Sequence, residues 1–208
     1  MKILVIGARK GIGAQVVEQG LEQGFEITAM SRGLQSGGEQ PGLKQIAGDV
    51  LNVTDVETAV QGQNGVCFTI GVLPTFKPVQ AFSRGTQIVL EAMTKFDVPK
   101  LVMVTGIGAG DSKGHGGFFY DKIFQPLLLK TIYEDKDRSE ELVRQSDREW
   151  VIVRPGFLTN GPKTRRYRAI TDLQGVTAGK ISRADVADFI LNQFKDMSFK
   201  GQTPLLTY

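Results

Sequence analysis

The chain carries one cysteine, one histidine and one tryptophan in 208 residues, and each scarcity excludes something. A lone thiol closes no internal disulfide. Cys67 lies in the apolar run Val66-Cys-Phe-Thr-Ile70 and reads as a buried strand residue rather than a reactive thiol. No metal-ligating set is expected. No apolar run approaches the length of a membrane span, and the chain opens on a strand pattern that leaves no room for a secretory leader. A soluble, cytoplasmic protein without a membrane partner is the expectation. Strong charge of either sign is also lacking, with 25 Lys+Arg against 22 Asp+Glu for a net +3. The basic residues are dispersed, which argues against nucleic acid as a partner. Lys163-Thr-Arg165-Arg166-Tyr-Arg168 is a local basic patch; it reads as a solvated loop, with an anion site as the alternative. No internal repeat or low-complexity segment is visible. With 41% hydrophobic and 23% charged residues, the composition is ordinary for a globular protein. A length of 208 residues is most simply one domain, 1–208, with a large core.

Glycine, by contrast, is abundant at 25 residues, and three glycines carry the main signal. The apolar run Ile3 to Ile6 reads as a buried strand and leads into Gly7-Ala-Arg9-Lys10-Gly11-Ile12-Gly13. A helical pattern follows at once, with Ile12, Val16, Val17 and Leu21 at helical spacing. Gly7 allows a sharp turn off the strand, Gly11 allows backbone to approach a pyrophosphate, and Gly13 lets the helix pack close to the sheet. The free N–H groups of the helix N-terminus then face the phosphates. Placed between a strand and a helix, such a loop points to a dinucleotide site rather than a structural turn.

Strand and helix patterns alternate along the rest of the chain. Strands are expected at Phe25 to Met30, Leu43 to Ala47, Val66 to Ile70, Leu101 to Thr105 and Trp150 to Pro155, with Pro204 to Thr207 as an edge strand. Helices are expected at Val53 to Val60, capped by Asn52 or Thr54, at Val79 to Phe96, at Phe118 to Gln145 with a break near Pro126, and at Ser182 to Leu191. The glycine-rich segment Gly106–Gly117 holds no regular element. Its histidine, His115, reads as a solvated loop residue, in surroundings that would also suit a mobile flap. Apolar strands alternating with helices predict an α/β fold: a single doubly wound parallel-sheet Rossmann domain, its pocket built from loops after the strands.

The strand ends say which dinucleotide. The second strand ends Ala29-Met-Ser31-Arg32-Gly33, with no carboxylate for an adenosine ribose. Arg32 could instead stack on adenine and pair with a 2′-phosphate, as a planar fixed-charge fork can. Arg9 and Lys10 sit in the phosphate loop itself, and Ser31 could add a hydroxyl. NADP(H) is therefore expected rather than NAD(H).

The spacing Gly-x-x-x-Gly-x-Gly resembles the fingerprint of the short-chain dehydrogenase/reductase superfamily. That resemblance implies adenine contacts from Asp49 and Val50, cofactor-ribose contacts from Ile70 and Gly71, and backbone beside the nicotinamide from Pro155. It also implies an active site of Ser or Thr after the fifth strand followed by Tyr-x-x-x-Lys, in which the lysine lowers the tyrosine pKa. Thr105 and Lys136 fall in the expected places, but Ile132 stands where the tyrosine belongs, and Tyr133 is one position too close to the lysine. The candidate catalytic set is thus Thr105, Tyr133 and Lys136, with Thr105 and Lys136 also contacting cofactor. The overall pattern, through Gly48-Asp49-Val, Val98-Pro-Lys100, Arg154-Pro155 and Ile181-Ser-Arg-Ala-Asp185, is similar to atypical members: NmrA-like NAD(P)-binding proteins and, especially, biliverdin-IXβ/flavin reductases. The resemblance implies an NADPH-dependent reductase acting on a conjugated planar acceptor such as a flavin or bilin, for which orientation matters more than a protein acid. A non-catalytic NADP(H) sensor and, third, a sugar-nucleotide epimerase are the alternatives. The oligomeric state is left open.

Overall fold

The computed structural model describes residues 1–35 and 40–208. The order of elements follows the alternation of apolar patterns. Strand β1 (Lys2–Ile6) runs into helix α1 (Gly11–Glu22), then β2 (Glu26–Ser31), β3 (Leu43–Ala47), α2 (Val53–Val60), β4 (Gly65–Phe68), α3 (Ala81–Lys95) and β5 (Lys100–Val104). A short 3₁₀ turn (Gly110–Ser112) and a π-helical segment (Tyr120–Leu129) precede α4 (Lys130–Gln145). The chain ends with β6 (Glu149–Pro155), β7 (Phe157–Thr159), β8 (Arg168–Ile170), β9 (Lys180–Ser182), α5 (Arg183–Asp196) and β10 (Leu205–Thr207). Helix α2 starts where Asn52 accepts a hydrogen bond from the Asp55 amide, and α5 where Ser182 does the same for Asp185.

The eight-stranded sheet has the order β3-β2-β1-β4-β5-β6-β10-β8. All its pairs are parallel except β10 with β8. The sequence reverses direction between β1 and β4, and at such a switch point the crossover loops part and leave a crevice at the carboxyl ends of the strands. Because both faces are covered at the centre of the sheet, β1, β4 and β5 are apolar beyond their first residues, while the flanking β3 carries Lys44 and Gln45. Ile3, Val5, Cys67 and Val102 pack under α1 and α5, while Leu4, Ile6, Phe68 and Met103 pack under α2, α3 and α4. Burial pushes the Cys67 thiol pKa up, so it is an inert core group.

The end of the chain departs from the expected pattern. The strand near the C-terminus is not an edge: β10 sits between β6 and β8, and β8 forms the border. The parallel pair β7 and β9 forms a separate small sheet. The helix expected over 118–145 with a break near Pro126 is in two parts, the π-helical segment Tyr120–Leu129 and α4, divided at Leu129, whose φ of −121° and ψ of 2° leave the helical region.

Candidate cofactor and active site

The phosphate loop is shaped by what its glycines allow. Gly7 has φ +87°, and a Cβ there would stand 2.7 Å from the Thr69 carbonyl oxygen. At Gly13 a Cβ would run into the Gly7 carbonyl, so only glycine lets α1 begin this close to β1. Thr69 ties the floor of the crevice together by donating its hydroxyl and amide to the Ile6 carbonyl, at 2.8 and 2.9 Å. The first turn of α1 contains no acidic residue, and Lys10 at its start provides no side-chain cap. The N–H groups of that turn therefore remain open to an anion, reinforced by the helix dipole. Ile12 and Gly13 are buried, while Arg9 and Lys10 are exposed.

Beyond the end of β2, Arg9 reaches the turn that carries Arg32. The Arg9 guanidinium lies where a side chain on Gly33 would be, which places it beside Arg32. Among the described residues, none of Arg9, Lys10 and Arg32 forms an ion pair. Asp49 accepts a hydrogen bond from the Leu51 amide and donates its own amide to Asp55, which fixes the turn after β3. Val50 packs against Gly85 on α3, and Ile70 and Gly71 follow β4. All of these lie along the carboxyl ends of the strands.

The other end of the crevice is built by α4. Lys136 donates to the Thr105 carbonyl at 2.6 Å, and its ammonium sits over the rings of Tyr133 and Phe82, 4.6 and 5.4 Å from their centroids. Burial lowers its pKa from 10.5 to about 8, against the pull of Glu140. Tyr133 is buried, and its hydroxyl shares a 2.7 Å hydrogen bond with that of Tyr120, which is within 3.3 Å of the Ile107 carbonyl. Burial raises the pKa of both phenols. A Cβ on Gly106 would come within 3.4 Å of the Tyr133 hydroxyl and 3.6 Å of the Lys136 ammonium. Tyr133 and Lys136 thus meet above the end of β5 although their spacing differs from the superfamily's. Ile132, in the tyrosine place, is turned into the core. The Thr105 hydroxyl is occupied, donating to Glu140 at 2.7 Å. The Pro155 carbonyl accepts from the Ile107 amide at 3.1 Å, joining the ends of β5 and β6.

Beneath Thr105 lies a network that the sequence reading missed. Arg154 is fully buried and pairs with Glu140, at 2.6 Å, and with Asp111. Arg144 also reaches Glu140, at 2.8 Å. The Gly106–Gly117 segment is held at both ends: Asp137 accepts from the Gly110 amide and pairs with Lys113, and His115 Nδ1 lies 2.7 Å from the Val176 carbonyl. His115 is therefore a half-buried clasp residue, not a solvated one. The basic patch is likewise tied down. Asp185 receives the Thr164 and Arg165 amides, and Asp188 receives Arg165 and Tyr167. A second missed residue is Arg183, whose side chain passes over Gly11, with Nε 3.9 Å from the position of a Cβ there. The available signal was Arg183 opening a helix capped by Ser182, but its approach to Gly11 on the neighbouring helix is not readable from spacing.

The comparisons agree with this geometry. A family model described as NAD(P)H-binding matches residues 7–197. An uncharacterised chloroplastic protein of Arabidopsis thaliana is 28% identical, over 96% of this chain and 74% of its own length. YhfK of Bacillus subtilis, described as an uncharacterised sugar epimerase, is 26% identical over 100% of this chain and 94% of its own length. Among solved structures, ChuY, an anaerobilin reductase from Escherichia coli O157:H7, superposes with a TM-score of 0.82 at 22% identity, covering 100% of this chain and 97% of the other. A short-chain dehydrogenase/reductase from Veillonella parvula in complex with NADP gives a TM-score of 0.83 at 17% identity, covering 100% and 94%. With the glycine cradle, the open helix N-terminus and a family match over nearly the whole chain, the protein belongs to the NAD(P)H-binding family and has a Rossmann fold.

Proposed function

We propose that this protein is an NADPH-dependent reductase for a flat conjugated acceptor of the flavin or bilin class. The observation that carries the reading is the apolar rim at the nicotinamide end. Leu73 and Phe76 after β4 are 78% and 79% exposed, and Phe118 and Phe119 after β5 are both 71% exposed. Leu127 and Phe157 add to the rim. The segments that carry these side chains are joined, since Thr131 donates to the Thr75 carbonyl and the Tyr120 ring packs edge-on against Phe157. Exposed apolar side chains on segments joined in this way offer a surface for a ligand, and their chemistry suits an aromatic plane better than a sugar nucleotide.

The residues present fit the cofactor. Gly7, Gly11, Ile12 and Gly13 with the α1 N-terminus would hold the pyrophosphate, and Arg32 with Arg9 and Lys10 the 2′-phosphate. Asp49 and Val50 would border the adenine, and Ile70, Gly71, Thr105, Lys136 and Pro155 the nicotinamide ribose and ring. Bound NADPH would supply the hydride. The chain's own part is to orient the acceptor and exclude water with the apolar rim. Lys136 would present a cation near the reacting face, and Tyr133 and Tyr120 keep their protons at neutral pH. Reduction of an extended conjugated system needs no carbonyl acid at a fixed point, and this agrees with Ile132 in the tyrosine place. The fold match to ChuY, a bilin reductase, and the NADP complex of the Veillonella protein support the acceptor class and the cofactor choice. The buried Ile132 also favours a second reading, a cofactor sensor without turnover. NADPH oxidation with FMN, riboflavin, biliverdin isomers, quinones and small aldehydes separates the two. Turnover is expected with flavins or bilins, and tight NADPH binding without turnover on any acceptor would favour the sensor.

A further inference from the structure

The motif Ile181-Ser-Arg-Ala-Asp185 does more than start a helix. Ser182 caps α5 and also donates its hydroxyl to the Pro162 carbonyl at 3.0 Å. Asp185 receives the Thr164 hydroxyl, the Thr164 and Arg165 amides and the Tyr208 hydroxyl, all between 2.7 and 2.8 Å. Burial alone would raise the Asp185 pKa, but these hydrogen bonds outweigh it and hold the carboxyl below its usual range. The segment after β7 is therefore fastened to the first turn of α5. The same turn is fastened to α1, because Gln19 donates to the Ala184 carbonyl at 2.9 Å in a buried contact. Arg183 stands between these two anchors.

Its side chain is held toward the phosphate loop. The guanidinium donates to Asn160 Oδ1 at 2.7 Å, and Nε lies over Gly11. Arg183 makes no ion pair with any described carboxylate. A long cation is thus fixed beside an open helix N-terminus on the face of the loop where phosphates would lie, and its partner is a neutral amide that can be exchanged for an anion. We infer that Arg183 is a pyrophosphate-binding residue that closes the cofactor site from the side opposite the α1 amides, with Asn160 holding it ready. This rests on the NAD(P)H reading above. Its chemistry is distinct from that of Arg32: a pyrophosphate is common to NADPH, NADH and ADP-ribose, so Arg183 adds affinity without selecting the 2′-phosphate. The planar fork offers two N–H groups to phosphate oxygens, as lysine cannot.

The test measures binding alone, by calorimetry and ligand-observed NMR on the full chain. Four ligands are compared: NADPH, NADH, ADP-ribose and adenosine 2′-monophosphate. Arg183→Met should weaken the first three by a similar factor, about ten- to hundred-fold for a lost charge-assisted contact. Adenosine 2′-monophosphate, which has no pyrophosphate, should bind as to the unmodified protein. Arg183→Gln, which is shorter and uncharged but keeps a polar amide, should show the same loss. An unchanged ADP-ribose affinity in a folded Arg183→Met or Arg183→Gln protein overturns the inference while leaving the cofactor reading intact. A loss that extends equally to adenosine 2′-monophosphate overturns it as well, because it would mark a general collapse of the site. Failure of the unmodified protein to bind NADPH and ADP-ribose would instead overturn the cofactor reading itself.

Discussion

Replacing Lys136 by methionine makes a sharp test of how the active end is built. The lysine ammonium is enclosed by Phe82, Tyr133 and the Thr105 carbonyl, and burial brings its pKa from 10.5 to about 8. In the unfolded chain it titrates at the ordinary value. Below pH 8 both states hold the proton and the cost of burying the charge is constant. Between 8 and 10.5 the unfolded state binds the proton and the folded state does not, so folding is favoured increasingly as pH rises. Above 10.5 both are neutral and the gain is complete. At about 1.4 kcal/mol per pH unit, the span from 10.5 to about 8 caps this gain at about 3 kcal/mol. The assay is urea unfolding of the native protein and of Lys136→Met at several pH values from 7 to 11. Subtracting the two removes the titration of other lysines and tyrosines. The stability of the native protein relative to the variant should climb through that window. A flat difference would show that Lys136 is solvated and ordinary, and would remove the enclosed cation from the proposed site.

Three further outcomes follow from the geometry. Arg32→Ala should weaken NADPH by about ten- to hundred-fold, the value of a charge-assisted phosphate contact, and leave NADH nearly unchanged; equal losses in a binding titration would defeat the 2′-phosphate assignment. Tyr133→Phe should keep turnover with a flavin or bilin within about ten-fold, since loss of a true general acid costs ~10²–10⁴-fold. A larger fall in kcat at unchanged NADPH affinity would restore a carbonyl-reductase mechanism. Arg154→Met should cost about 1.5–3 kcal/mol in denaturant unfolding, because buried Glu140 loses one charged hydrogen-bond partner and keeps Arg144, and a cost under about 1 kcal/mol would show that the pair is not desolvated.

What could be read from sequence was local. The β1–loop–α1 unit, the Asn52 cap and the Ser182 helix start are set by neighbouring residues, and each is found where the pattern placed it. The crevice at the strand ends follows from the alternation of elements. The three-residue strands β7, β8 and β9 are too short to show periodicity, and only pairing with distant chain defines them. The same holds for the missed site residues. Glu140 meets Arg154 across fourteen residues, and Arg183 reaches Gly11 from the far end of the chain. Lys136 falls in the place that the resemblance implies for the lysine, whereas the meeting of Tyr133 with it depends on the turn of α4 after a π-helical entry.

The central claim is direct hydride delivery from NADPH to a planar conjugated acceptor. A single turnover with NADPH deuterated at C4 of the nicotinamide, followed by mass spectrometry of the reduced bilin, tests it most directly. One deuterium bound to carbon in the product is expected from one stereoisomer of the labelled cofactor and none from the other. A reduced bilin without deuterium from either isomer, or no reduced product despite bound NADPH, would contradict it.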